Sequence, residues 1–415
     1  MAKNILIVLD HEKRIPPFML SIIRYAEDKY DNYYYVNTNY PINKKETLTY
    51  HVSICYPNKW NHFTSILSFP FFLLSYKCLR QVGQFIKLRG LQKAYFLTLI
   101  RWGVANNRLY PIANKIINTH KKDNIVVLST WFGACSYTAA KIKEKYPHIC
   151  TTSLAHSYEV LVSRDNNIPY YFVDYRHKNL DGIFFISKIV RDLYIQNIGP
   201  LKKDYLAKMF VNYLGSFKTG NWHNERKKES FHIVTCSRMI PLKRLDILIL
   251  SLKKWSHCNI KWTHLGDGPL YNHILQESQK AMKENGLLNI NILGRLPNEA
   301  VKTFYKNESI DIFINLSSIE GLPISIMEAI SYGIPVIATD VGGTSEIVNS
   351  ETGFLLPANI NPTDVLDALE TYYKMPEKEI NSLRNTCQNF WEREFNADKN
   401  IINLFNKLDN IKNNI

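Results

Sequence analysis

Two carboxylates, Glu320 and Glu328, stand eight positions apart in Ser318-Ile-Glu-Gly-Leu-Pro-Ile-Ser-Ile-Met-Glu328, with a Gly-Leu-Pro turn directly after the first. Ahead of them, Asp311-Ile-Phe-Ile-Asn-Leu316 has the unbroken apolar run of a parallel strand buried on both faces. Behind the turn, Pro323 to Tyr332 predicts a helix with proline in its first turn, where the missing N–H costs nothing. Glu320 therefore falls in a strand-to-helix loop, and Glu328 lies about one and a half turns into the helix. Amides at a helix start have no carbonyl one turn back and suit an anion. Carboxylates that accept hydroxyls beside amides that hold phosphate call for a ligand carrying both groups, as a nucleotide sugar does.

The elements that must position these groups recur along the whole chain. Apolar runs of strand length alternate with helical stretches, the pattern of doubly wound parallel sheets. In the first half, strands are expected at Ile5–Leu9, Tyr33–Asn37, Val52–Tyr56, Ile125–Ser129, Cys150–Ala155, Gly182–Ile186 and Met209–Leu214, with a helix from Ala139 to Tyr146. A polar, aperiodic stretch at 216–230 reads as a linker. It divides an N-terminal domain, 1–215, from a C-terminal one, 231–390, with terminal helices over 391–415. At 415 residues the chain is longer than one core usually serves, which agrees with two domains.

The net charge of +14 is unevenly placed. Residues 1–215 hold 29 Lys and Arg against 14 Asp and Glu, and residues 216–415 hold 22 against 23. Between Thr47 and Lys122 there are eleven basic residues and no acidic one, interleaved with Phe63, Phe69, Phe71, Phe72, Tyr76, Phe85, Tyr95, Phe96 and Trp102. Such a mixture suits an amphipathic face on anionic lipid, or a basic face solvated or packed on its own domain. No base-reading module accompanies it, so nucleic acid is not the expected partner. The longest apolar run, Phe63 to Tyr76, contains Pro70 and is too short to span a bilayer. The opening run Lys3 to Asp10 is too short for a signal peptide and reads as a first strand. Seven scattered cysteines, odd in number and without paired metal-ligand spacing, read as reduced thiols with no zinc site. No Gly-x-Gly-x-x-Gly follows an early strand, so a dehydrogenase is not expected.

Glu320 and Glu328 in this setting resemble the paired-glutamate motif of retaining glycosyltransferases of the GT-B fold, glycosyltransferase family 4, the bacterial surface-polysaccharide type. Supporting segments follow in order: Ser237-Arg-Met-Ile-Pro-Leu-Lys-Arg244, Leu265-Gly-Asp-Gly-Pro269, Leu293-Gly-Arg-Leu-Pro297 and Val341-Gly-Gly-Thr-Ser-Glu-Ile-Val348. The resemblance implies an α/β fold of two Rossmann-like domains facing a cleft, with the C-terminal helices crossing back to the first domain. It implies transfer of a hexose or acetamido-hexose from a nucleotide-diphosphate sugar, UDP-sugar first, to a lipid-linked or growing polysaccharide. Matched to the family, Arg238 and Lys243 neutralise the diphosphate, Glu328 accepts the ribose hydroxyls, and Glu320 faces the donor sugar. Gly321, Leu322 and Gly343 would offer backbone amides, and Arg295 and Leu296 would frame the base.

In the first half, Ser129-Thr-Trp-Phe-Gly133 and Ser153-Leu-Ala-His-Ser-Tyr-Glu-Val160 resemble the family's acceptor-side segment, with His156 at its active-site histidine. Ser157 and Glu159 replace the usual glycine and aspartate there. The family's glycine-rich loop after the first strand is absent, and His11 or Arg14 would have to substitute. No Asp-x-Asp signature occurs, so metal-independent chemistry without a cofactor is expected, on a cytoplasmic enzyme peripheral to the inner membrane face. The alternatives are the same donor chemistry on a soluble or wall-polymer acceptor, and a non-catalytic nucleotide-sugar-binding protein.

Overall fold

The structure, a computed structural model, describes residues 2–12, 15, 17–38, 53–55, 65, 67, 69–89, 93–157, 159, 170–198, 203–218 and 230–415. The chain divides into two compact units, residues 1–212 with 401–415, and residues 213–400. Arg14 and most of the expected linker lie outside the described residues.

The first unit is built on seven parallel strands: β1 (Asn4–Asp10), β2 (Asn32–Asn37), β3 (Ser53–Cys55), β4 (Asn124–Ser129), β5 (Cys150–Ala155), β6 (Gly182–Phe185) and β7 (Met209–Val211). They run in the order β3-β2-β1-β4-β5-β6-β7, so the chain starts mid-sheet and winds both ways. Ile5 to Leu9 and Val126 to Leu128 are wholly buried because helices cover both faces of the sheet. Those helices are α1 (Pro17–Glu27), α2 (Phe69–Leu73), α3 (Tyr76–Arg89), α4 (Lys93–Thr119), α5 (Ala134–Lys145), α6 (Val173–Asn179), α7 (Lys188–Ile198) and α8 (Lys203–Leu206). Helix α5 starts five residues before the expected Ala139. Its opening residues Ala134, Cys135, Ser136 and Tyr137 are buried, and that tertiary packing extends a helix whose own sequence signal is weak there.

The second unit has six parallel strands: β8 (Phe231–Cys236), β9 (Ile260–Leu265), β10 (Leu288–Ile292), β11 (Ile312–Asn315), β12 (Val336–Thr339) and β13 (Gly353–Leu356). Their order is β10-β9-β8-β11-β12-β13, again reversing direction about the first strand. Helices α9 (Leu245–Leu252), α10 (Tyr271–Glu284), α11 (Asn298–Asn307), α12 (Ile324–Ser331), α13 (Pro362–Lys374) and α14 (Glu377–Phe390) complete it. A short π-helical turn, Trp391–Phe395, leads into α15 (Ala397–Asn413). The expected fold class, two doubly wound parallel sheets, is the observed one.

One detail at the site differs from expectation. Pro323 flanks α12 in an extended conformation instead of lying in its first turn. Arg238 lies two residues past the end of β8, and Lys243 closes a 3-10 turn, Pro241–Lys243, ahead of α9. The stretch 216–218 is part of the second unit's framework: Ser216 bridges Asn396, and its hydroxyl accepts the Trp391 indole N–H at 2.9 Å.

Residues 401–415 of α15 and the tail complete the first unit. Leu404, Phe405 and Leu408 are buried, with the Phe405 ring 5.0 Å from Tyr25 and 5.9 Å from Tyr30. Lys29 pairs with Asp409 at 2.5 Å on the same face.

Candidate donor-binding site

In α/β sheets of this kind, ligands bind beyond the carboxyl ends of the strands where the strand order reverses. In the second unit that point lies between β8 and β11. A shallow recess opens there, lined among others by Thr235, Cys236, Ser237, Lys243 and Asn315. Lys243 Nζ reaches across to Glu320 Oε1, joining the two loops. Glu320 Oε1 also accepts from Ser317 Oγ at 2.7 Å and Asn315 Nδ2 at 3.2 Å. One carboxylate oxygen is thus held by a cation, a hydroxyl and an amide, which fixes the Glu320 side chain before any ligand arrives.

The loops around this network pack backbone against backbone. Gly266, at φ 145°, brings its α-carbon so close to Ser237 that a β-carbon would stand 1.9 Å from the Ser237 carbonyl oxygen. Gly342, at φ 57°, does the same to the Glu320 carbonyl. Only glycine combines that conformation with that approach. Beside it the Gly343 amide donates to the Gly321 carbonyl at 2.6 Å, so Gly343 supports the Glu320 loop. In this structure its N–H is already used.

Glu328 lies one turn into α12, almost fully buried, and accepts from Asn298 Nδ2 at 2.7 Å. Burial pushes its carboxyl above the usual range, against the opposing pull of the Asn298 hydrogen bond and the Lys302 charge. A vicinal diol donating to this carboxylate would favour its charged form, which burial otherwise disfavours. Leu322 and Leu296 pack on the core that contains Ile326 and Ile330. Arg238 and Arg295 are exposed, and among the described residues neither forms an ion pair.

Within the second unit Lys243 and Glu320 are in direct contact, Gly343 bonds to Gly321, and Leu296 and Leu322 pack on one core. Among the described residues, Arg238, Arg295 and Glu328 form no hydrogen bond or ion pair with the Lys243–Glu320 pair. Asn315, Ser317 and Asn298 join the network unannounced by the sequence reading. Asn315 did leave a signal, an amide closing the otherwise apolar run Ile312–Ile314.

His156 belongs to the first unit, just past β5. Its Nε2–H donates to the Thr130 carbonyl at 2.9 Å, which fixes the tautomer and leaves Nδ1 as an acceptor. Burial lowers its pKa to about 4, so the ring is neutral at physiological pH. Trp131 packs on it at 4.4 Å between ring centroids and Phe18 at 5.1 Å. The buried Asp10 carboxylate holds Trp131 through its indole N–H at 3.0 Å and accepts the His11 and Glu12 amides at 2.7 and 3.1 Å. The His11 ring lies with Nδ1 3.2 Å from Cys135 Sγ. Among the described residues, no group of three or more His, Cys, Asp or Glu is arranged to hold a metal ion.

Residues 218–389 match the family model described as Glycosyl transferases group 1. An uncharacterised glycosyltransferase of Methanocaldococcus jannaschii is 28% identical over 260 residues, 63% of this chain and 68% of the relative. The GtfA subunit of a UDP-N-acetylglucosamine–peptide N-acetylglucosaminyltransferase of Streptococcus agalactiae is 27% identical over 216 residues, 48% of this chain and 40% of the relative. Among solved structures, the lipopolysaccharide outer core galactosyltransferase WaaB aligns at TM-score 0.65, 14% identity and coverage of 97% and 99%. HepE of Anabaena in complex with UDP aligns at 0.64, 15% identity and coverage of 98% and 100%. These likenesses show the fold, GT-B.

Proposed function

We propose that the chain is a retaining, metal-independent hexosyltransferase. It takes a hexose or acetamido-hexose from a nucleotide-diphosphate sugar, UDP-sugar first, and passes it to a lipid-linked or growing surface polysaccharide. It works peripherally at the cytoplasmic face of the membrane. The Lys243–Glu320 contact at the mouth of the recess between β8 and β11 carries this reading. The pair supports it because an ammonium beside a carboxylate suits a ligand carrying both a diphosphate and sugar hydroxyls. UDP in the HepE complex and UDP-N-acetylglucosamine in the name of the S. agalactiae relative favour uridine as the base.

In this reading the bond between the anomeric carbon and the diphosphate oxygen breaks, and its electron pair leaves with the diphosphate. Lys243 and Arg238 stabilise that growing negative charge. Glu320 holds the donor sugar and counters positive charge at the anomeric centre. The acceptor oxygen bonds to the same face of the sugar, and its proton passes to the departing phosphate. Glu328 holds the ribose, Arg295 and Leu296 frame the base, the amides of Gly321 and Leu322 meet the ligand, and Gly343 braces the Glu320 loop. His156 contributes its Nδ1 as an acceptor for a sugar hydroxyl.

The test is a thermal-shift panel of UDP, GDP, ADP, TDP and CMP, first without metal and then with magnesium. A ligand at about 100 times its dissociation constant stabilises a fold by roughly 2.7 kcal/mol, a readable shift. UDP standing out without metal is the expected result. A flat panel, or a shift that needs magnesium, removes the metal-free donor reading.

A further inference from the structure

Helices α2 and α3 are apolar on two opposite sides. Inward, Phe72 and Cys78 are buried with Tyr95, Leu99, Tyr137 and Phe172. The Phe72 ring stands edge-on to Tyr137 at 5.8 Å and Phe172 at 6.3 Å, and Gln81 accepts the Phe172 amide at 2.8 Å. That side accounts for why the helices dock. The outward side of a surface helix should be polar. Here Phe71 and Tyr76 are each 77% exposed and Leu74 69%. Leu79 and Ile86 continue the stripe along α3, at spacings of three and seven residues that keep them on one face. Leu67 extends it ahead of α2.

Charge selects the occupant. Arg80 shares the exposed face of α3, and the whole span 47–122 contains no carboxylate. The Lys77 charge is spent on Glu144 at 2.6 Å and on the Tyr175 ring at 4.0 Å, which neutralises the acid this face meets from α5. Exposed aromatic and aliphatic side chains beside Arg80, unpaired among the described residues, match the interfacial zone of an anionic bilayer, where Phe and Leu enter the acyl boundary and Arg meets headgroup phosphate. Among the described residues no helix is long and apolar enough to cross a membrane, so the stripe lies on the surface.

We infer that the Phe71–Ile86 face is a lipid-docking surface that inserts Phe71, Leu74, Tyr76 and Leu79 into an anionic leaflet, with Arg80 on its phosphates. The inference deepens the location proposed above and rests on that reading only for the side of the membrane. It uses none of the donor-site residues, so the nucleotide panel and the experiment below fail separately.

The experiment is co-sedimentation of the full chain with phosphatidylcholine vesicles, with and without phosphatidylglycerol, over a salt series. Two variants accompany it: Phe71→Ser/Leu74→Ser/Leu79→Ser, and Arg80→Glu. All four side chains are exposed, so both variants should melt like the parent and keep its nucleotide shift. Expected is binding that needs phosphatidylglycerol, falls as salt rises, drops at least about tenfold in the triple variant and severalfold in Arg80→Glu. No binding by the parent, or undiminished binding by both variants, overturns the inference. So does concentration-dependent dimerisation abolished by the triple variant without vesicle binding, which would assign the face to a second copy of the chain.

Discussion

Lys243 has two anions to serve, one already in place. Its ammonium touches Glu320 in the structure, and the proposed diphosphate would claim the same charge. The pair is largely shielded, with side-chain exposures of 20% and 14%, so removing the cation leaves Glu320 with neutral donors only. Lys243→Ala should weaken UDP affinity tenfold or more, since a charge-assisted hydrogen bond contributes about 1.5–3 kcal/mol. The melting temperature without nucleotide should move little, because the lysine covers no core. Calorimetric titration beside a thermal melt checks both; full affinity in the variant ends the diphosphate assignment. The two residues were legible separately, each from its own motif. Their contact was not, because 77 positions separate them and only the reversal of strand order at β8 and β11 brings them side by side.

Loops at the carboxyl ends of β4 and β5 are tied by the Glu159 side chain as well as by the His156–Thr130 bond. Glu159 Oε2 accepts the amide of Phe132 after β4 at 2.8 Å and that of His156 after β5 at 3.2 Å. Burial raises its pKa from 4.5 to about 7, against the pull of those amides and of Arg176. A carboxyl raised in the folded state stabilises most while both states hold the proton, below about 4.5. That contribution is lost as pH rises through the folded value near 7. Glutamine keeps an oxygen for the two amides and never ionises. The stability of Glu159→Gln relative to the parent should therefore climb between pH 5 and pH 8, by up to about 3 kcal/mol at 1.36 kcal/mol per unit. Parallel denaturation series at several pH values measure it; a constant gap would show that the carboxyl titrates normally. Elements of this kind explain the pattern of success in the sequence reading. Strands such as β1 were legible because burial on both faces leaves an uninterrupted apolar run, Ile5 to Leu9. The start of α5 was missed because Cys135, Ser136 and Tyr137 are held by packing that no periodicity announces. Glu159 was visible as a residue in place of aspartate, but its grip on two loops depends on a fold that adjoins β4 and β5.

At the scale of the molecule, the two units divide the labour that the sequence hinted at through its charge. The first holds all of the basic excess and the exposed apolar stripe, and the second holds the glutamate pair and the match to Glycosyl transferases group 1. The first unit also depends on residues remote in sequence. Phe405 is fully buried against Tyr25 and Tyr30, so Phe405→Ala should cost about 3–5 kcal/mol. Hydrogen exchange should locate that loss: amides of β1, α1 and β2 exchange faster, while those of β8 to β12 keep the parent's protection. Equal acceleration in both units would mean that they unfold as one.

The same division sets an order of events during synthesis. Residues 401–415 leave the ribosome only after every residue of 213–400 has been made. The second unit then has its full complement of strands and helices while Tyr25, Tyr30 and the small Gly182 position that receives Ile411 still await their cover. The half that is translated first is the half that closes last, and until α15 arrives its nascent form presents open apolar surface to chaperones.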